Sequence, residues 1–273
     1  MGTGSLVTVL AAAQSVGIVT AGELTRATTI LGIGLVAGYL VGGLGLGWGA
    51  VLVPSLLLIG VDPSVAIQSS LLLQILVVPL GGLSHIKLGN VDKGIFIPLS
   101  IAGIIAAPIG AFVSSSLPQP WLISLTGVTT LGMGLLVLSK SPPLNGSNVG
   151  ERVKVRAIHT GLIGTAAGFA SGAFGTGWGP ISVSALILAG AVPRSAVGSS
   201  LLARALIAVS GSAVYFAVGH FQPNVLLPLL LGGGVAVVLG ASSNKKLDNG
   251  SIRTIIGITV LVLGLLTVLK VIL

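Results

Sequence analysis

Cysteine is absent from the 273-residue chain, and acidic residues nearly so: 5 Asp and Glu stand against 13 Lys and Arg. The missing thiols exclude disulfides, thiolate metal sites and a cysteine nucleophile. Charged side chains of both signs make up 7 % of the residues, where a soluble domain carries about 25 %. A surface facing water cannot be built from so few, which excludes a soluble enzyme, a secreted disulfide scaffold and a disordered chain. What fills the sequence instead is aliphatic. Asp, Glu, Lys and Arg are missing from 27–61, 94–139, 157–193, 205–244 and 254–269, and about 20 apolar residues cross the hydrocarbon core. The chain therefore reads as an all-α polytopic protein of the cell membrane. Its net charge of +8 belongs with basic residues gathered on cytoplasmic loops rather than with nucleic acid. Residues 1–5 lack the basic start of a secretory signal, so the apolar run 6–21 reads as a retained N-terminal span or interfacial helix.

Sliding the chain against itself by 130 positions places Gly45, Gly47, Trp48 and Gly49 on Gly175, Gly177, Trp178 and Gly179. Without a gap, Gly34, Gly38 and Gly42 then fall on Gly164, Gly168 and Gly172, Pro63 on Pro193, Pro98 on Pro228, and the block 69–72 (SSLL) on 199–202. Chance pairs are expected among 42 glycines, but the tryptophan, the prolines and the serine block need an internal duplication. The expected organisation is an N-terminal apolar segment (1–28), a first repeat (29–140), an interrepeat loop (141–157) and a second repeat (158–273). Each repeat holds four apolar elements.

The opening element of each repeat, 30–60 and 158–190, carries glycines through its middle. Two half-helices of about a dozen residues are expected there, each about 18 Å long and too short to span. Such an element either crosses as a broken helix or dips in and returns. If all elements cross, Arg26, Lys87, Lys93, Lys140, Arg152, Lys154, Arg156 and Lys270 share one side, eight basic residues against four. If both glycine-rich elements are re-entrant, the division is ten to two, with Arg26 and Lys270 alone on the outside. The sharper bias favours re-entry, a cytoplasmic interrepeat loop, and two repeats of three crossings each that are inverted relative to one another.

These residues resemble the sulfite exporter (TauE/SafE-like) family of membrane permeases. The resemblance is carried by 43–60 (GLGLGWGAVLVPSLLLIG), Pro63, Ser69, Ser70 and 89–92 (GNVD), and by the counterpart 172–180 (GAFGTGWGP) with Pro193, Ser199 and Ser200. It covers all but the first 28 or so residues. It implies a permease for small anions, most of all sulfur-containing oxyanions such as sulfite and organosulfonates. Trp48 and Trp178 stand where the family usually has a further glycine, which would alter the size and polarity of a site beside them.

Irregular backbone at membrane depth is tolerated only where protein buries it or where it lines a cavity. Both glycine-rich turns should sit inside, and the helices that restart at Trp48 and Trp178 would present free N–H groups and a positive dipole end to an anion. Pro180 suits a first helical position. The glycines at 34, 38 and 42 are better read as close helix packing. One basic residue lies deep within a span, Arg204, and its counterpart at the 130 offset is Gln74; a charge at that depth is a functional candidate. The candidate anion site is thus Gly45, Gly47, Trp48, Gly49, Ser69, Ser70 and Gln74 with Gly175, Gly177, Trp178, Gly179, Ser199, Ser200 and Arg204.

Asp62, Asp92 and Asp248 sit at element ends, Glu23 and Glu151 in flanking segments, and His85, His159 and His220 at element ends as well. No carboxylate relay, HExxH, P-loop or nucleophile–base set can be assembled, so neither a catalytic residue, a metal nor a cofactor is expected. The expected partners are a small inorganic or organosulfur anion and the lipid bilayer, with no nucleic acid. An anion channel and proton-coupled anion uptake are the alternatives to an exporter.

Overall fold

The computed structural model describes residues 20–44, 47–139, 155–176, 178–243 and 249–273. The N-terminal run up to residue 19, positions 140–154 of the interrepeat region, Gly45 and Gly177 lie outside the described residues. Uncharged aliphatic runs in lipid have one way to satisfy their own backbone, and the described residues form ten helices: α1 (Ala21–Leu44), α2 (Trp48–Leu58), α3 (Pro63–Lys87), α4 (Lys93–Ser115), α5 (Gln119–Leu138), α6 (Ala157–Phe174), α7 (Trp178–Leu188), α8 (Pro193–Ala217), α9 (Pro223–Ser243) and α10 (Asn249–Ile272). Five of them, α1, α4, α5, α8 and α9, are long and apolar enough to cross a membrane. This is a multi-pass membrane protein.

Several helix ends recur 130 residues apart. The pairs α2/α7 and α3/α8 begin and end at that spacing, and α4/α9 and α5/α10 begin at it. So do the turns that separate them. Gly60 and Gly190 hold φ of 81° and 97°, Gly89 and Gly219 of 66° and 86°, the left-handed region that glycine enters without steric cost.

The first limb of each opening element differs from the expected half-helix. At 24 and 18 residues, α1 and α6 measure about 36 and 27 Å, while only α2 and α7, 11 residues each, are short. Helix α1 also begins at Ala21, within the segment assigned to the N-terminal 28 residues. The added length of α1 lies at its start, ahead of residue 30. Gly34, Gly38 and Gly42 let α1 lie on the backbone of α9, where a Cβ on Gly42 would come within 2.1 Å of the Val237 carbonyl oxygen. Gly164, Gly168 and Gly172 do the same for α6 on α4, against Leu99, Gly103 and Ala107. These glycines join helices and do not break them.

Contacts give the helix directions. α1 runs parallel to α9, and α6 to α4, by the pairs just named. α8 also runs parallel to α4, because Gly198 meets Asn90, Gly103 meets Ile207 and Gly211 meets Ala107. α3 is antiparallel to α8, Leu71 lying by Gly211 and Gln74 bonded to Arg204. Gly127 against Val268 and Gly134 against Leu261 make α5 and α10 antiparallel. It follows that α1 starts, α2 ends and α3 starts at one end of the bundle. There Gln119 Nε2 donates to Asp62 Oδ2 at 2.6 Å and Lys270 Nζ to the Leu57 carbonyl at 2.6 Å. At the other end α6 starts, α7 ends and α8 starts, among Lys87, Lys93, Arg156 and Arg194.

Candidate anion site

The two breaks in the opening elements meet inside the bundle. A Cβ on Gly49, at the second position of α2, would lie 1.7 Å from the carbonyl oxygen of Gly175 and 2.8 Å from Thr176 Cα. One on Gly179, in the first turn of α7, would lie 3.8 Å from the backbone nitrogen of Gly47. At Gly49 only glycine allows this approach, whereas a Cβ on Gly179 would make ordinary contact, and Gly175 takes φ of 62° to end α6. The first turns of α2 and α7, with N–H groups that have no partner four residues back, therefore lie against one another's breaks.

Arg204 of α8 reaches into this junction. It is 5 % exposed. Its Nη2 lies 2.5 Å from where a Cβ on Gly47 would be, and Nη1 3.9 Å from the same point on Gly179. Nε donates to Gln74 Oε1 at 2.8 Å. Gln74 Nε2 in turn donates to Ser70 Oγ at 3.2 Å, and Ser70 donates to the Gly175 carbonyl at 3.3 Å. One chain of hydrogen bonds thus runs from the cation through Gln74 and Ser70 of the first half and back to the break at Gly175 in the second. No acidic side chain pairs with Arg204 among the described residues. A guanidinium set beside the positive ends of two helices is electrostatically unfavourable, and in a dry interior an unpaired charge is costly. An anion between them reverses the sign of every one of these terms.

The remaining expected residues divide. Trp48 opens α2 at the junction, but its indole packs on Gly233 of α9, where a Cβ would lie 2.9 Å from the ring; it brings backbone to the site and fills the core with its ring. Trp178 opens α7. Pro180 is the third residue of α7, not the first, a position whose missing N–H is equally unneeded because the first four have no acceptor within the helix. Ser69 is buried. Ser199 instead secures the start of α4, where its Oγ accepts from Asp92 N–H at 2.9 Å and faces the Asp92 carbonyl at 3.3 Å. Ser200 Oγ is 2.6 Å from Ser182 Oγ of α7.

Thr176 was not singled out by its sequence. It lies in the break of the second half, buried, with no hydrogen-bond partner for its hydroxyl. The signal was available as a difference rather than a match, since 130 residues earlier stands Leu46. A buried hydroxyl in this break, beside Gly49 and without a partner among the described residues, is equipped to bond a ligand. Among the described residues no group of His, Cys, Asp and Glu is arranged to hold a metal.

The profile of the family described as Sulfite exporter TauE/SafE matches residues 30–267. The chain is 32 % identical over 234 residues to the probable membrane transporter protein YtnM of Bacillus subtilis (strain 168), covering 82 % of this chain and 77 % of that protein. It is 28 % identical over 255 residues to the probable membrane transporter protein YunE of the same organism, covering 85 % and 93 %. A probable membrane transporter protein of Xylella fastidiosa (strain Temecula1 / ATCC 700964) shares 30 % over 177 residues, 63 % of this chain and 67 % of that one. No solved structure matches the chain.

Proposed function

Because the chain belongs to the sulfite exporter TauE/SafE family, a family of membrane transporters, we propose that it is a permease for small anions, sulfur-containing oxyanions such as sulfite or organosulfonates first among them, bound where the two glycine breaks meet Arg204. The observation that carries this reading is the buried guanidinium with no acidic partner among the described residues, set against the N-terminal turns of α2 and α7. Oxyanions suit it because a guanidinium presents parallel N–H groups to two oxygens at once, and helix N-termini supply further donors without added charge. Thr176 and the Gln74–Ser70 pair complete the wall.

We further read the chain as two copies of one unit, inverted in the membrane, each opening with a re-entrant element. The recurring helix ends and the helix directions support this. The end rich in Lys87, Lys93, Arg156 and Arg194 is then cytoplasmic and the end with Arg26 and Lys270 external, as positive charge on cytoplasmic loops requires. Inverted repeats with interrupted helices around a central site are a common plan of secondary transporters.

Ligand-induced stabilisation of the purified protein tests the site, because binding to the folded state alone raises stability with ligand concentration. Sulfite, sulfate or methanesulfonate should raise the melting temperature of the native chain, and Arg204→Gln should abolish the rise while remaining monodisperse in detergent. An unchanged rise in that variant overturns the assignment.

A further inference from the structure

At the cytoplasmic end lies a cavity of about 660 Å³ between the α3–α4 turn, the α7–α8 turn and Val155 ahead of α6, with Asp92, Lys93 and Ser195 in its wall. Polar groups lead inward from it along α8. Ser199, one turn beyond Ser195, holds both backbone groups of Asp92. Ser200 stands one turn before Arg204 and meets Ser182 of α7. On the facing helix, Gly103 meets Ile207 and Ala107 meets Gly211, a register that brings Ser100 level with Arg204; its hydroxyl is buried and has no partner.

The route related to this one by the 130-residue offset is also polar along α3, where Ser64, Gln68, Ser69 and Ser70 are buried, but it lacks three of these hydroxyls. Ser199 and Ser200 have the counterparts Ser69 and Ser70, but Ser195, Ser182 and Ser100 correspond to Val65, Leu52 and Leu230. Val65 and Leu52 are 2 % and 0 % exposed. Serines in membrane helices commonly return their hydroxyl to their own backbone, as Ser55 does to Val51 at 2.7 Å. Ser199 bonds another helix's start instead, and Ser100 has no partner among the described residues.

We propose that this cavity is the cytoplasmic vestibule of the anion, from which Lys93 and then the hydroxyls of Ser199, Ser200, Ser182 and Ser100 conduct it to Arg204, with the Ser199–Asp92 contact as the closure that opens. In this conformation the opposite approach is sealed by Leu52 and Val65. A series of hydroxyl donors replaces hydration step by step without a charge deep enough to trap the ion, as conduction requires binding weak enough to leave. The inference rests on the reading of Arg204 as the anion site.

The chain has no cysteine, so single cysteines report without background. In proteoliposomes, a membrane-impermeant sulfonated thiol reagent should modify Ser195→Cys and Ser200→Cys from the same face, and modify Leu52→Cys and Val65→Cys at least about tenfold more slowly. Saturating sulfate should slow Ser200→Cys by about tenfold and leave Ser195→Cys little changed. Modification of Ser200→Cys no faster than Leu52→Cys, or from the face opposite Ser195→Cys, overturns the vestibule. Should Ser200→Cys not fold, the half-buried rim serves: a bulky adduct on Ser195→Cys should block flux, and unchanged flux overturns the proposal. Repeating the labelling with Arg204→Gln separates the two readings. Reactivity kept with sulfate protection lost supports both, whereas protection that persists defeats the Arg204 site and leaves the vestibule standing.

Discussion

Gln74 and Arg204 stand 130 residues apart in sequence and 2.8 Å apart in space, side chain to side chain. Residues related by a repeat touch one another only where the axis relating the repeats passes between them. On the proposed inverted repeat the pair would mark that axis, with the positive charge of Arg204 beside it.

The first prediction follows from that position. Arg204→Gln should weaken anion binding at least tenfold, about 1.4 kcal/mol, in keeping with the about 1.5–3 kcal/mol of a hydrogen bond to a charged group. The exchanged double variant Gln74→Arg with Arg204→Gln should recover binding, because the cation returns to the axis from the other helix. Titration calorimetry in detergent reads both, and a double variant no better than the single one contradicts an axial site. Arginine stays protonated throughout the working range, so any change in binding between about pH 6 and 9 should follow the anion's own protonation.

Gly49→Ala should not give a stable protein. Its Cβ would fall 1.7 Å from the Gly175 carbonyl oxygen, and overpacking of this kind costs about 1–3 kcal/mol or more. Gly132→Ala and Gly161→Ala place a methyl group in open space on helices, where alanine is the better helix former, and should melt at or above the native temperature. Thermal unfolding in detergent compares the three.

Ile59→Cys and Leu188→Cys, at the ends of α2 and α7 and 40 % and 80 % exposed, should be labelled from opposite faces of the membrane. Labelling of both from one face would remove the inverted arrangement.

Tyr215→Phe should lower stability by about 1–2 kcal/mol. The Tyr215 hydroxyl donates to the Gly172 carbonyl at 2.8 Å, just before the break, and contacts Ser114 of α4, so its loss leaves a buried carbonyl unpaired. Chemical or thermal denaturation measures the loss, and full native stability would show the contact to be dispensable.

Anion flux should be electrogenic and need neither a proton nor a sodium gradient. Asp62 and Asp92 sit at helix ends, and the field contributes about 2.3 kcal/mol per elementary charge per 100 mV, which drives anions out of a negative interior. In proteoliposomes at equal pH without sodium, flux should follow a potential set by potassium and valinomycin. Flux that ignores the potential and follows a pH gradient points instead to coupled uptake.

Much of this protein could be read from its residues. The near absence of charge dictates helices in lipid, and the 130-residue spacing anticipates where α2, α3, α7 and α8 begin and end, because hydrophobic length and glycine punctuation are local properties of the chain. The same reading found Arg204, since a lone basic residue in an uncharged run is conspicuous. It did not place the start of α1 at Ala21, although Thr20 and Glu23 form the capping box that sets it. Nor did it separate Ser199, which holds Asp92, from Ser200, or direct the Trp48 indole away from the junction onto Gly233. Matching residues across the repeat drew attention to Ser69, Ser70, Ser199 and Ser200, whereas Thr176, Ser182 and Ser100 lie where the two halves differ. Which way a side chain faces, and what meets it, depends on the angle and register of helices distant in sequence, and those are determined by packing in three dimensions.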